Sequence, residues 1–137
     1  MNPCIYCAKD ERLDQLMIEI GQLRVSTLFL FKEQTYRGRV VVALNEHERE
    51  MFHLSDERRQ LLMADVAQAA AAVERAFQPG KINYGAYGDT MPHVHFHIVP
   101  KYEGGPSWGK PFEMNPGQVY LSEDEYADLI RDIQAQL

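Results

Sequence analysis

Cysteine is scarce in this chain: there are two, Cys4 and Cys7, among 137 residues. With only Ile5 and Tyr6 between them they are too close for a helpful structural disulfide, so a fold stapled by disulfides is excluded. Metal binding or plain thiols remain. No apolar run approaches the ~18 residues of a membrane span, and no charged-then-apolar leader precedes a cleavage site, so a cytoplasmic protein with no membrane partner is expected. A basic stripe is missing too. Fourteen Lys and Arg stand against twenty Asp and Glu, a net charge of -6, which argues against a nucleic-acid polymer as partner. A small anionic ligand is not excluded, since it needs only local donors. There is no internal repeat, low-complexity segment or linker, and the length suits one domain over residues 1–137 with a single core.

Histidine is present in an arrangement that composition does not explain. Three of the five histidines fall in His93-Val94-His95-Phe96-His97-Ile98-Val99. A strand turns successive side chains to opposite faces, so His93, His95 and His97 share one face, while Val94, Phe96 and Ile98 belong on a core. Three imidazoles in a dry interior would need many partners, so their face looks into a cleft. One use is a metal site. Residues two apart on a strand are about 6.6 Å apart and the outer pair about 13 Å, so one ion cannot easily hold all three rings, though a neighbouring pair could share one. The other use gives the rings separate tasks. A neutral imidazole is a nucleophile when an acceptor holds the proton on its other nitrogen, and a second histidine can contact phosphate oxygens or handle a proton.

Around this strand the chain reads as α+β. Leu16 to Ile20, Ser26 to Phe31 and Arg39 to Leu44 read as strands, with Ile20 to Leu23 connecting the first two and Gln34 to Gly38 a loop. Ser55-Asp56-Glu57 opens a long central helix, with an apolar stripe at Leu62, Val66, Ala69, Val73 and Phe77, and Pro79-Gly80 stops it. Ile82 to Tyr87 reads as a strand. Residues 101–118 form a Gly/Pro-rich loop holding Trp108, and Ser122-Glu123-Asp124-Glu125 is a capping-box pattern opening a C-terminal helix over 122–137. Tight connections favour a mainly antiparallel sheet with the helices against one face. Residues 1–10 carry Cys4-Ile5-Tyr6-Cys7, half of a zinc knuckle.

The stretch His93 to Pro100 resembles the signature of the histidine-triad family of nucleotide hydrolases and transferases: histidine and apolar residues alternating three times, then a further apolar residue. The approach through Asn83-Tyr84-Gly85 and Gly88-Asp89-Thr90-Met91-Pro92 is similar to that family as well, and the likeness extends from Cys4 to about Phe112. It implies the family's fold, an antiparallel sheet with one long helix and a C-terminal helix, and a homodimer. It implies that His95 is the nucleophile toward an α-phosphorus, that His97 contacts the phosphate, and that Thr90 donates a hydrogen bond toward the leaving group. Asn83 matches the asparagine that helps set the active-site geometry. Glu33 is the nearest candidate for the acid or asparagine that binds the ribose hydroxyls. Lys101 is placed to neutralise phosphate or to be solvated, and Trp108 to cover the cleft or anchor its own loop; His53 reads as a surface histidine. Asp89 departs from the family pattern, which often has glutamine there. In some branches a Cys-x-x-Cys pair, a histidine after the earlier strand and the first triad histidine bind a structural zinc; Cys4, Cys7, His47 and His93 match those positions. No organic cofactor is implied.

The resemblance therefore implies a nucleotidyl hydrolase or transferase. Nucleoside phosphoramidates and dinucleoside polyphosphates are the candidate substrates, and a covalent nucleotidyl-histidine the intermediate. Two other classes compete. A nucleotide-binding regulator with weak or no turnover is kept open by Asp89. A zinc-dependent hydrolase with metal-activated water requires an open metal position among the histidines.

Overall fold

A computed structural model describes residues 1–137. Its frame is an antiparallel sheet of five strands: β1 (Met17–Gln22), β2 (Ser26–Phe31), β3 (Val40–Leu44), β4 (Lys81–Gly85) and β5 (His95–Lys101). They lie in the order β1-β2-β3-β5-β4. After β3 the chain makes a 3-10 turn (Met51–His53) and a long helix, then forms the edge strand β4. It returns as β5, which enters between β3 and β4. The apolar, β-branched residues of β2 and β3 suit a central position, and every residue of both strands is buried.

The long helix spans Asp56–Phe77, and the Ser55 side chain accepts from Arg58 N–H at 3.2 Å, the N-cap that the sequence announces. Its stripe of Leu62, Val66, Ala69 and Val73 packs on one face of the sheet against Leu28, Val40, Val42 and Ile98. The C-terminal helix, Glu123–Gln134, begins with a complete capping box between Ser122 and Glu125 and brings Tyr126, Leu129 and Ile133 to the same core. Leu62 is fully buried there, and its truncation to alanine should cost about 2–5 kcal/mol. Asp65, a buried acid on the long helix, has a structural use. It accepts from the backbone N–H groups of Arg24 and Val25 (3.0 and 2.9 Å) and from Ser26 Oγ (2.7 Å), and so ties down the β1–β2 turn. No helix is long and apolar enough to cross a membrane.

The second face of the sheet is covered as well, which the expectation of helices on one face leaves out. Two short helices, Ile5–Ala8 and Glu11–Leu16, carry Ile5, Tyr6 and Leu13 onto Phe29, Phe31, Val41 and Ala43. They are now called α1 and α2, the long helix α3 and the C-terminal helix α4. Some boundaries also move. β1 continues through Gly21 and Gln22 after a bulge, so the connection is Leu23 to Val25. β4 ends at Gly85 and not Tyr87; α4 stops at Gln134. β5 begins at His95, because His93 lies in a tight turn in which its N–H donates to Met91 O at 2.8 Å.

Residues 102–122 contain neither helix nor strand, yet they are fastened at several points. Tyr36 Oη lies 2.7 Å from Ser107 Oγ and accepts from Glu113 N–H at 2.8 Å. Lys101 Nζ donates to the carbonyls of Ser107 and Lys110. Glu33 accepts from Gln118 and Val119 N–H at 2.7 and 2.9 Å.

Candidate functional site

The register of the sheet builds the site. Val41 of β3 and Gly85 of β4 both pair with His97, and Ala43 pairs with His95, so small or slim side chains flank the two imidazoles on their face. His95 and His97 are 7 % and 5 % exposed, and what they show opens into a cleft of about 360 Å³. The other walls are Tyr87, Gly88, Asp89, Thr90 and Met91 from the β4–β5 connection, with Phe112 and Met114 from the fastened loop. Gly88 adopts φ +143°, a conformation that suits glycine, and the chain then turns Asp89 and Thr90 along the rim. Gly85 lets two rings come close over the strand. A Cβ there would meet Tyr87 Cε2 at 2.7 Å and Phe112 Cζ at 2.9 Å.

The two cleft histidines are held oppositely. His95 Nδ1–H donates to the carbonyl of His93 at 2.6 Å, and a carbonyl only accepts, so the proton sits on Nδ1 and Nε2 keeps its lone pair. His97 has Nδ1 at 3.0 Å from Arg39 Nη2, and a guanidinium only donates, so there the lone pair is on Nδ1 and the proton on Nε2. Burial holds His95 below the usual histidine range, offset in part by the His93 carbonyl. His97 is pushed down to about 3, by burial first and then by the charges of Arg39 and His95. Both rings are thus neutral at neutral pH. Burial also lowers Arg39, to about 10, so it stays charged.

His93 leaves this pair and joins a second cluster. Its Nε2–H donates to Leu44 O at 2.7 Å, which frees Nδ1. That nitrogen lies 3.2 Å from Cys4 Sγ, 3.6 Å from Cys7 Sγ and 3.1 Å from His47 Nδ1, and Cys7 Sγ is 3.3 Å from His47 Nδ1. All four ligand atoms lie within 4.8 Å of one another. A tetrahedral zinc with bonds near 2.0–2.3 Å has ligand atoms about 3.3–3.8 Å apart, so the donor set and spacing fit that ion. The second-nitrogen bond to Leu44 is the support such a ligand needs. Local structure explains the convergence: α1 turns Cys4 and Cys7 to one side, and pairing of Leu44 and Glu48 with Val94 brings His47 beside His93. Tyr6, between the cysteines, packs its ring at 5.2 Å from His93 and 5.1 Å from His95, and so joins cluster to cleft.

Not every candidate reaches the cleft. Thr90 and Asp89 line it, and no ion pair neutralises Asp89. Asn83 pairs with Val99, one step beyond His97 on the same face, and lines a separate recess with Lys101 and Trp108. Lys101 is buried and its ammonium is spent on loop carbonyls. Trp108 lies against Gly80, where a Cβ would come within 2.9 Å of its ring, and anchors the loop without covering the cleft. Glu33 opposes burial with hydrogen bonds from Thr35 Oγ1, Val119, Thr35 and Gln118 N–H, which hold its carboxyl below the usual range. Its oxygens fasten loops and do not face the cleft. His53 is exposed, beside Glu48 at 3.9 Å. Sequence reasoning passed over Arg39, read as the first residue of an apolar strand, and over Tyr87, Met91, Phe112 and Met114. A charged residue opening a buried strand was the available signal for Arg39.

Known proteins share this fold. The chain is 28% identical over 139 residues to the adenosine 5'-monophosphoramidase hnt1 of Schizosaccharomyces pombe, with 93% of this chain and 98% of that one covered. A crystal structure of a histidine triad protein from Sinorhizobium meliloti superposes with a TM-score of 0.85 at 26% identity, covering 93% of this chain and 95% of that one. A zinc-bound histidine triad family protein from Mycobacterium smegmatis has the same fold, with a TM-score of 0.68 at 24% identity over 97% and 94% of the two chains. A family profile described as HIT domain matches residues 17–104, from β1 through the strand that carries His95 and His97. On these grounds the chain belongs to the histidine-triad family.

Proposed function

We propose that the chain is a nucleotidyl hydrolase or transferase that cleaves at the α-phosphorus of a nucleoside phosphoramidate or dinucleoside polyphosphate, with His95 as nucleophile. The observation that carries this reading is the opposite tautomers of the cleft pair: His95 offers a lone pair at Nε2, and His97 offers a proton. His95 Nε2 attacks phosphorus and forms a P–N bond. The bond to the leaving group breaks, and that group departs with the electron pair and takes a proton from solvent water in the cleft. Water then attacks the same phosphorus and gives up a proton to solvent, the P–Nε2 bond breaks, the neutral imidazole is restored and the nucleotide is released. His97 Nε2–H donates to a phosphate oxygen, and Thr90 Oγ1–H to the leaving atom, where negative charge builds. The likeness to an adenosine monophosphoramidase supports a phosphoramidate as the first substrate to try.

The proposal includes a structural zinc on Cys4, Cys7, His47 and His93. Four ligands close the tetrahedron, so the ion would brace the N-terminus against the start of β5 and perform no step of the reaction. A homodimer belongs to the proposal on the family resemblance alone. The rival reading, a nucleotide-binding regulator, draws on Asp89, an acid on the rim of a site meant for phosphate. Rapid quench with labelled adenosine phosphoramidate separates the two. Label trapped on His95, and lost together with turnover in His95→Ala, is the expected result; binding with no trapped label and no turnover favours the regulator.

A further inference from the structure

The proposed chemistry leaves one buried charge without a task. Arg39 is 0 % exposed, its Nε has no hydrogen-bond partner, and it belongs to none of the ion pairs in the molecule. A guanidinium removed from water without a counter-ion is costly, and a packed apolar residue would be cheaper. The acid that acts on it through space, Glu33, is already committed to Thr35, Gln118 and Val119. Apart from a long bond from Nη1 to Glu113 O at 3.4 Å and the Phe31 ring beneath it, Arg39 touches three residues of the cleft wall, His97, Phe112 and Met114. Its guanidinium lies 4.0 Å from the centre of the Phe31 ring and 5.2 Å from that of Phe112. Nη2 donates to His97 Nδ1 at 3.0 Å and approaches Met114 Sδ at 3.3 Å.

We infer that Arg39 is a positioning residue: it locks His97 with its proton on Nε2 and sets a permanent positive charge behind the phosphate that the cleft takes. The inference rests on the reading of the cleft as a phosphate site. Arginine has five N–H donors and no acceptor, so the imidazole facing it must present a lone pair. A second proton on His97 would have to enter at Nδ1, against that cation. A carboxylate behind a histidine makes the ring a base; a guanidinium behind it makes the ring a fixed donor, and polarises the outward N–H. His95, backed by a carbonyl, keeps the nucleophilic role. The counter-charge that the folded chain does not supply to Arg39 is then the phosphate of the ligand. The groups facing the His97–Arg39 pair are few: His95 on β5, Asp89 on the cleft rim, and Tyr6, Glu33, Tyr36 and Tyr87 around the guanidinium.

Long-range proton–nitrogen NMR on the whole protein reads the tautomer directly. The expected spectrum shows His97 protonated at Nε2 alone across the pH range of the folded state. A proton on Nδ1, or a tautomer mixture, overturns the inference. Binding of adenosine monophosphate is measured in parallel on Arg39→Met and Arg39→Lys. Arg39→Met should release His97 to ordinary titration and weaken binding about tenfold or more, and Arg39→Lys should recover much of both. Unchanged binding in a folded Arg39→Met protein refutes the role of the charge. If Arg39→Met does not fold, the wild-type spectrum and Arg39→Lys decide the matter: a lysine variant that keeps His97 protonated at Nε2 and binds within a fewfold of wild type supports the inference, and a tautomer mixture in either protein overturns it. The spectrum requires no turnover, so a failure of the nucleophile assignment at His95 is distinguishable from a failure here.

Discussion

Acid should unfold this protein in a way that one ring dominates. His97 has a folded-state pKa of about 3 against an ordinary 6.5, through burial and the adjacent Arg39 and His95. The folded state therefore binds fewer protons than the unfolded state between those values, and stability rises with pH across the window. The contribution is fully present above about pH 6.5 and is lost as pH falls toward 3. At pH 5 the unfolded ring is almost wholly protonated and the folded ring is not, which removes about 2 kcal/mol relative to pH 7. With a urea slope of about 2 kcal/mol/M, the midpoint should fall by about 1 M. His93 and His95 are also held below their usual range and add in the same direction. The decisive measurement is therefore the difference between wild type and His97→Gln in urea melts at the two pH values. The variant, whatever its own stability, should lose about 2 kcal/mol less on going from pH 7 to pH 5. Equal losses in both proteins would refute the account of His97 as a ring kept neutral by its surroundings.

Three further outcomes are expected. Thr90→Ala should slow substrates with poor leaving groups more than those with good ones, because a donor to the departing atom matters where charge builds there; equal loss along a leaving-group series would make Thr90 structural. Protein purified without chelator should carry about one zinc per chain by metal analysis, and Cys4→Ser/Cys7→Ser should lose it and melt at lower temperature. A metal-free wild type of equal stability removes the zinc assignment. Gly85→Ala should leave the melting temperature nearly unchanged, because its Cβ meets only the movable rings of Tyr87 and Phe112, and should raise KM as those rings shift into the cleft. An unchanged KM would show that the rings do not shape the substrate site.

The sequence foretold most where a pattern repeats locally. The β-branched run of β3, the capped apolar stripe of α3, the capping box of α4 and the alternation through His95 and His97 are local signals, and each element lies where they point. α1 and α2 escaped because helices of four and six residues are too short to show a period, although Asp10 caps the second by accepting from Arg12 N–H. The clustering of Cys4, Cys7, His47 and His93 was legible because the family resemblance named their positions. Glu33, Lys101 and Trp108 were not, since their partners are chain-distant carbonyls, amides and a glycine that no local pattern marks. Arg39 needed the register of β3 against β5, which only the assembled sheet supplies.

The position of β5 has a consequence for how the molecule is made. The strand that bears His95 and His97 is the last of the five in sequence, yet it is flanked on both sides in the sheet. A chain emerging from the ribosome can form the β1–β2–β3 meander early, but β3 and β4 then each keep an open edge for want of the same missing strand. Such edges invite pairing with other chains until residues 95–101 arrive and insert. The insertion that joins the two parts of the sheet is also the one that brings His95, His97 and the preceding His93 into place. Nascent chains therefore lose the open edges of β3 and β4 and gain the histidine-lined cleft in the same step.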